Sequence, residues 1–378
     1  MPGISIDRAK GVAEEPGTGH NRWHPAIEPV LEVAPGEAVE METRDALDGQ
    51  LTAASTEADF GSLNFGRAHA LTGPVRVAGA EPGDLLEVEF VSIEPQPWAY
   101  TSITPGSGYL GDLGFEPLLV HWEIERGNAA DAGGGWARSA QLPGFRLPGA
   151  SFMGVSGVAP SLEEVAAWSR REAAWASRGG TVFAPSTDGA VPESGPAPTE
   201  GLRTIPPREN GGNMDVKQLT AGSRLFLPVS VEGALFSTGD GHFAQGDGEV
   251  CLTAAEMGAT VVVRFALHKG EADKVRGGSL RFSHTGEFAR PEQARLRNFI
   301  ATMGMPIDGD GVNEGENLNL ATRNALQAMI ELLGERGYGP SQAYAICSVA
   351  VDLKISQVVD VPNFIVSAFL AEEMFEPA

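Results

Sequence analysis

The stretch EPGDLLEVEF at residues 81–90 decides the fold class, because a Pro-Gly turn leads directly into alternating apolar and acidic side chains. Residues 34–42, APGEAVEME, repeat this arrangement. Two later stretches, residues 221–227 and 257–265, also place a glycine-containing turn before alternating residues. Apolar side chains at every second position predict half-buried strands. The sequence therefore predicts an α+β, β-rich fold, with sandwich- or barrel-like antiparallel sheets and added helices.

Three helices are predicted outside these strands. Ser161 and Glu164 form a capping box that begins the first helix, and the glycine pair at 179–180 ends it. Apolar residues with helical spacing predict a second helix over residues 318–335. Small residues predict a third helix over residues 341–350. These helices are expected to pack against the sheets.

The same patterns divide the chain into three parts. Residues 1–155 are predicted as an N-terminal β-rich domain, residues 156–215 as a helix with a long Gly/Pro loop, and residues 216–378 as a C-terminal β/α part that completes the active site. Residues 358–370 have strand character. The loop at 179–212 is too long for a passive connection, so it is either a disordered linker or a functional loop, and its polar continuation favours the functional loop.

Composition excludes several classes of partner. The 50 acidic and 27 basic residues give a formal charge of -23, which opposes binding to nucleic acid and to anionic lipid. No apolar run reaches the roughly 20 residues that span a bilayer, and residues 1–10 lack a signal-peptide pattern, so a cytoplasmic location is expected. Cys251 and Cys347 have no CxxC spacing and are predicted as core residues.

The stretch STGDGHFAQGDGEV at residues 237–250 carries the strongest candidate site. It contains four ionisable residues, Asp240, His242, Asp247 and Glu249, interleaved with four glycines that allow close approach of the backbone to a ligand. Aspartate oxygen and histidine nitrogen are both ordinary zinc ligands. The stretch therefore predicts a metal or catalytic site, and a polar hairpin tip is the alternative.

Other polar positions give weaker indications. Asp45 and Asp48 follow a predicted strand and could share a cation, although a turn aspartate is the better interpretation for Asp48. His20 and His24 have helical spacing, but Pro25 argues against a helix there. The remaining histidines have no partner in sequence and are predicted to be structural or exposed; they are His69, His121, His268 and His284.

The motifs of nucleotide-binding proteins and serine hydrolases are missing from the sequence. The glycines at 239 and 241 lack the third glycine of a dinucleotide loop, and there is no Walker Gly-Lys-Ser/Thr. Residues 154–157 are not a GxSxG elbow. Nucleotide cofactors and serine nucleophiles are therefore not expected.

Several unusual blocks resemble the acetamidase/formamidase family in content and order, over roughly residues 20–375. The resemblance implies a β-rich, sandwich-like core and hydrolysis of formamide, acetamide or related small amides. Some similar proteins act on lactams. The resemblance also implies a homo-oligomer. The blocks are residues 24–25, 44–50, 154–160, 207–215, 239–249 and 356–363.

The chemistry of amide hydrolysis suits the candidate residues. It needs an activated water, a stabilised oxyanion and a proton for the leaving nitrogen. A divalent metal, expected to be zinc, lowers the pKa of water to about 7 and polarises the carbonyl group. Asp45, Asp240 and His242 are the predicted metal ligands.

The remaining roles fall on neighbouring polar residues. Glu249, or alternatively Asp215, is predicted to take the proton from water and to pass it to the leaving amine, and Asp247 is a further catalytic candidate. Asn210 and Asn213 are predicted to orient the substrate amide. Two alternatives stay open: a lactam hydrolase, and a non-catalytic module that binds calcium, against which the imidazole of His242 counts.

Overall fold

A computed structural model describes residues 1–127, 135–275, 280–284 and 298–376. Among these residues, most strands pair antiparallel in two large sheets, which confirms the predicted β-rich α+β fold. Short parallel pairings join Gly3–Ile4 to Ala38–Glu42 and Leu31–Val33 to Leu71–Val77. None of the helices in the described part of the chain is long and apolar enough to cross a membrane.

The first sheet contains both strands that follow the Pro-Gly turns. The two similar stretches form Ala38–Glu42 and Leu85–Pro95, which flank Ala259–His268. Because apolar and polar residues alternate along a strand, the apolar side chains lie on one face of the sheet. Val39 and Met41 lie on that face and are fully buried. In sheet order the strands are Gly3–Ile4, Ala38–Glu42, Ala259–His268, Leu85–Pro95, Ser223–Pro228 and Arg281–His284.

The second sheet holds the candidate site. Its central strand, Phe236–His242, is buried along its whole length. Leu71–Val77 pairs with that strand and also with Gly19–His20 and Leu31–Val33. The other strands, in sheet order through the central one, are Arg146–Pro148, Trp136–Arg138, Leu118–Glu125, Trp98–Ile103, Glu256–Met257, Phe236–His242, Phe152–Gly157 and Gly211–Asn213.

Three of the helices lie where the sequence predicts them, and a fourth, Ala197–Glu200, lies within the segment that was predicted as a long loop. The capping box is present, with the Ser161 hydroxyl accepting from the Glu164 amide at the start of the first helix. The two C-terminal helices pack together. Leu318–Glu335 also packs against a three-stranded sheet of Phe299–Gly304, Ile365–Ala371 and Asp352–Gln357, and Pro340–Ala350 packs against Trp98–Ile103 and Leu118–Glu125 of the second sheet. Residues 358–364 form a turn, so the predicted strand at 358–370 begins later than expected. The four α-helices of the described residues are Leu162–Ala176, Ala197–Glu200, Leu318–Glu335 and Pro340–Ala350.

The long Gly/Pro loop packs on the body of the protein. The guanidinium group of the buried Arg22 donates to the carbonyl oxygens of Ser186 and Asp188, at 2.7 and 2.9 Å. Leu202–Arg203 pairs with Arg22–Trp23 as a two-stranded sheet. The three-part division of the chain stays a prediction, while the first sheet pairs strands from the first and last of those parts.

Candidate active site

The strand Phe236–His242 brings two predicted site residues into the centre of the second sheet. Asp240 and His242 are 3% and 1% exposed. His242 pairs in register with Phe152 on one side and with Glu256 on the other. Because a buried carboxylate or imidazole is costly without partners, these positions require a polar cluster around them.

Gly154, on the adjacent strand, provides the space for that cluster. A Cβ atom at this position would lie 2.5 Å from Asp215 Oδ1, 2.7 Å from Asp240 Oδ2 and 2.9 Å from His242 Cε1. These distances are shorter than ordinary contacts of a Cβ atom. Glycine therefore allows side chains from two separate segments to converge here.

Gln245 orients the imidazole ring of His242. Its amide nitrogen donates to the backbone oxygen of Asp215 at 2.9 Å, and its side-chain oxygen lies 3.0 Å from His242 Nδ1. The oxygen can only accept, so Nδ1 carries the proton. His242 Nε2 then faces Asp240 Oδ1 at 3.3 Å and Glu256 Oε2 at 3.1 Å.

Asp215 and Glu249 complete the cluster from two loops. Asp215 Oδ1 lies 4.0 Å from His242 Nδ1, and Glu249 Oε1 lies 4.0 Å from His242 Nε2. Both carboxyl groups also line the same cavity. Asp215, Asp240 and Glu249 all have left-handed backbone angles, with φ of 47, 57 and 44°. Such angles are unusual for residues other than glycine and are concentrated at functional sites.

Because the four carboxyl groups of the cluster are buried close together, their pKa values differ from one another. Burial and then the charge of Asp215 raise the pKa of Glu249 well above its usual range. Burial raises the pKa of Glu256 to about 7. Although burial opposes it, the charges of His69 and His242 hold the pKa of Asp240 well below its usual range. Groups with such different proton affinities suit a site that moves protons.

A cavity of about 160 Å³ opens onto this cluster. The carboxylates of Asp215, Asp240, Glu249 and Glu256 lie along one part of its wall. The remaining wall is largely apolar and includes Phe183 from the long loop. A concave apolar cavity with a few convergent polar groups is the usual form of a small-molecule site.

The cluster has the donor set of a divalent metal site. Ligand atoms of Asp215, Asp240 and His242 lie within 4.8 Å of one another, and so do those of His242, Glu249 and Glu256. Asp215 Oδ1 and Glu256 Oε2 are buried without a hydrogen-bonding partner among the described residues. Because buried polar atoms normally have partners, these oxygens fit a cation as the missing partner.

The structure does not bring Asp45 into this cluster. Asp45 Oδ1 accepts from the Leu47 amide at 2.9 Å and from the Tyr100 hydroxyl at 3.0 Å, while Oδ2 accepts from the Gly49 amide at 2.9 Å. Its carboxylate therefore stabilises its own turn. Asp48 is likewise paired, at 2.6 Å, with Arg67. The carboxylates that surround His242 come from elsewhere in the chain.

The other predicted residues are divided between the cavity and its surroundings. Asn213 lines the cavity, and its Oδ1 atom has no partner among the described residues. Asn210 donates to the Val158 carbonyl at 2.7 Å and does not line the cavity. Asp247 Oδ1 lies 3.8 Å from Lys217 Nζ, outside both groups of possible metal ligands.

Sequence reasoning missed four residues of the site: Gly154, Gln245, Glu256 and His69. Glu256 is a single acid within an apolar stretch at 250–259, which was the available signal for it. Gln245 lies inside the glycine-rich stretch at residues 237–250. His69 and Gly154 approach through sheet pairing and loop packing, for which the local sequence holds no signal.

The two N-terminal histidines have separate structural contacts. His20 Nε2 lies 2.8 Å from Ser237 Oγ, and His24 Nε2 lies 3.7 Å from Glu200 Oε2. Both rings are buried. Burial lowers the pKa of His20 from 6.5 to about 4. His20 is therefore neutral in the folded protein at neutral pH.

We expect His20 to make the protein sensitive to acid. Below pH 6.5 the unfolded chain binds a proton that the folded protein takes up only near pH 4, so stability falls as the pH decreases across this window. The expected loss is about 3 kcal/mol at pH 4. Urea unfolding of wild type and His20→Gln should show their difference in stability changing by this amount between pH 7 and pH 4. A difference independent of pH would contradict the assignment.

The fold and the site define a β-rich α+β protein with a buried carboxylate and histidine centre that opens into an apolar cavity. The Acetamidase/Formamidase family model matches residues 5–377. The chain therefore belongs to the acetamidase/formamidase family, which confirms the family and the amidase class expected from its sequence blocks.

Named relatives cover nearly the whole chain. It is 33% identical to an acetamidase of Mycolicibacterium smegmatis, over 92% of this chain and 89% of the relative. It is 30% identical to a formamidase of Methylophilus methylotrophus, over 99% of this chain and 93% of the relative. A gamma lactamase from Delftia acidovorans has a similar structure, with a TM-score of 0.90 and 31% identity, covering 100% of this chain and 95% of that one.

Proposed function

We propose that this protein is a metal-dependent hydrolase that converts small neutral amides to carboxylate and ammonia. The observation that carries the proposal is the cluster of Asp215, Asp240, His242, Glu249 and Glu256 at one side of an apolar cavity. The acetamidase and formamidase relatives support the amide substrate. The unpartnered buried carboxylate oxygens support a cation.

Asp215, Asp240 and His242 would hold the ion, which we expect to be zinc. His242 would contribute Nε2, because Gln245 occupies Nδ1. Asp215 takes the ligand position that was predicted for Asp45. When bound, the ion supplies positive charge that polarises the amide carbonyl and lowers the pKa of a water molecule.

Glu249 moves the proton in this scheme. Its carboxylate accepts a proton from the attacking water and delivers it to the amide nitrogen as the C–N bond breaks, which gives ammonia and a carboxylic acid; transfer of the acid's proton to ammonia then gives carboxylate and ammonium. Its raised pKa favours holding the proton between these two steps. Asn213 Oδ1 is available to accept from the substrate N–H. His69, which lines the cavity, would donate to the carbonyl oxygen.

Elemental analysis combined with an ammonia-release assay tests the proposal. We expect about one divalent ion per chain and release of ammonia from acetamide. Opening of a lactam ring without ammonia would favour the second candidate, a lactam hydrolase, which the similarity to the gamma lactamase supports. A bound ion with no turnover of either substrate would indicate a non-catalytic module. A homo-oligomeric state and a cytoplasmic location remain predictions.

Gln245→Leu should weaken metal binding without removing any ligand. The leucine cannot accept from Nδ1, so His242 loses the partner that fixes its ring, and such losses typically cost about 10–100-fold in metal affinity. Competition with a chelator measures the affinity. Gln357→Leu is the control, because the Gln357 amide donates to Asn363 O in the C-terminal sheet. Equal affinities in both variants would exclude this role of Gln245.

A further inference from the structure

The apolar part of the cavity wall comes from several separate segments. Leu47 and Leu63 approach from the N-terminal region, Ile205 from the end of the long loop, and Leu252 from the loop that carries Glu249. These side chains lie beside the carboxylate cluster in the same cavity. The substrate group next to the scissile amide therefore contacts apolar side chains. An apolar group at this position gains binding free energy in proportion to the apolar area that it buries.

The cavity also selects against charge. Its described lining contains four carboxylates but no lysine or arginine. The four carboxylates outnumber the two charges of a divalent ion, so an anionic acyl group is repelled. A charged acyl group of either sign would also lose its hydration against the apolar wall. The substrate class is therefore a neutral amide.

Leu252 is held in place by the turn that carries Glu249. Its amide donates to the Glu249 carbonyl oxygen at 2.9 Å, and its φ is 84°, a conformation that favours glycine. The side chain is nevertheless a leucine with 61% of its surface exposed. Strained backbone positions are concentrated at functional sites, and this one presents an apolar side chain to the cavity.

Two aromatic residues extend the apolar wall toward solvent. Phe65 and Phe183 line the cavity and are 48% and 43% exposed. The enclosed volume of about 160 Å³ is comparable to a cavity of about 150 Å³ that admits benzene. Formamide, with one carbon atom, would leave most of this wall without contact.

We propose that the preferred substrates are neutral primary amides whose acyl group is apolar and as large as a six-membered ring, with Leu252 as a specificity-determining residue. This inference rests on the proposed amide hydrolysis. Leu252, Phe65 and Phe183 contact the acyl group, while the carboxylate cluster acts on the amide.

Measured kcat/KM values for formamide, acetamide, isobutyramide and cyclohexanecarboxamide test the inference. In the metal-loaded wild type, kcat/KM should increase along this series. Leu252→Gly suits the left-handed backbone and removes only the side chain. It should lower the ratio of kcat/KM for cyclohexanecarboxamide to that for acetamide by about tenfold or more. Leu113→Ala is the control, because Leu113 is 44% exposed and does not line the cavity.

The outcomes separate this inference from the proposed function. Hydrolysis of formamide and acetamide without hydrolysis of the ring amide would overturn the inference and leave amide hydrolysis standing. An unchanged ratio in Leu252→Gly would overturn the role of Leu252. Hydrolysis of none of the four amides would overturn the proposed function and the inference together.

Discussion

Gly154→Ala should lower kcat/KM for amide hydrolysis by about 100-fold or more, although it adds only one methyl group. The new Cβ atom would lie 2.5 Å from Asp215 Oδ1 and 2.7 Å from Asp240 Oδ2. Both carboxylates must move, and a displacement near 1 Å in a catalytic site can cost about 100-fold. Because both are proposed metal ligands, metal content should fall as well. Assays of ammonia release and elemental analysis measure the two effects.

Gly17→Ala is the matched control. No atom lies within 4 Å of a Cβ built at Gly17, so the same methyl group has space there. We expect normal metal content and activity in this variant, and comparable thermal unfolding would show that both proteins fold. Normal activity in Gly154→Ala would mean that Asp215 and Asp240 do not need their observed positions.

Local patterns predict the fold well where the structure is local. The Pro-Gly turns precede two strands of the first sheet, and the Ser161 capping box begins a helix, because the responsible atoms lie within a few residues of each other. The strand predicted at 358–370 was less accurate. Val358, Val359 and Val361 favour a strand, but they lie in an exposed turn between Asp352–Gln357 and Ile365–Ala371.

The same distinction between local and long-range contacts holds for the candidate site. Asp240, His242 and Glu249 belong to one short glycine-rich stretch, and the structure brings them together. Asp45 looked equally suitable, yet its oxygens are occupied by its own turn and by Tyr100. Glu256 arrives only through strand pairing with His242. Composition and spacing indicate which residue types can bind a metal, but only the sheet register selects which of them meet.

Glu249→Gln should lower kcat by about 100-fold or more while the metal remains bound. Glutamine preserves the size and hydrogen-bonding shape of the side chain but cannot accept and return a proton, and loss of a general base commonly costs this much. KM should change little, because the amide still contacts the same cavity wall. Steady-state ammonia release and elemental analysis provide both measurements.

Asp215→Asn separates the two roles of the carboxyl pair. Asp215 and Glu249 each place a carboxylate oxygen 4.0 Å from a nitrogen of the His242 ring and line the same cavity, so either could move the proton on geometry alone. If Asp215 is a ligand, its asparagine variant should lose metal as well as activity, whereas Glu249→Gln should lose activity only. The reverse pattern would exchange the roles of the two residues. Full metal content and near-normal turnover in both variants would exclude both residues as the base, and Glu256, whose pKa of about 7 also suits proton transfer, would take that role.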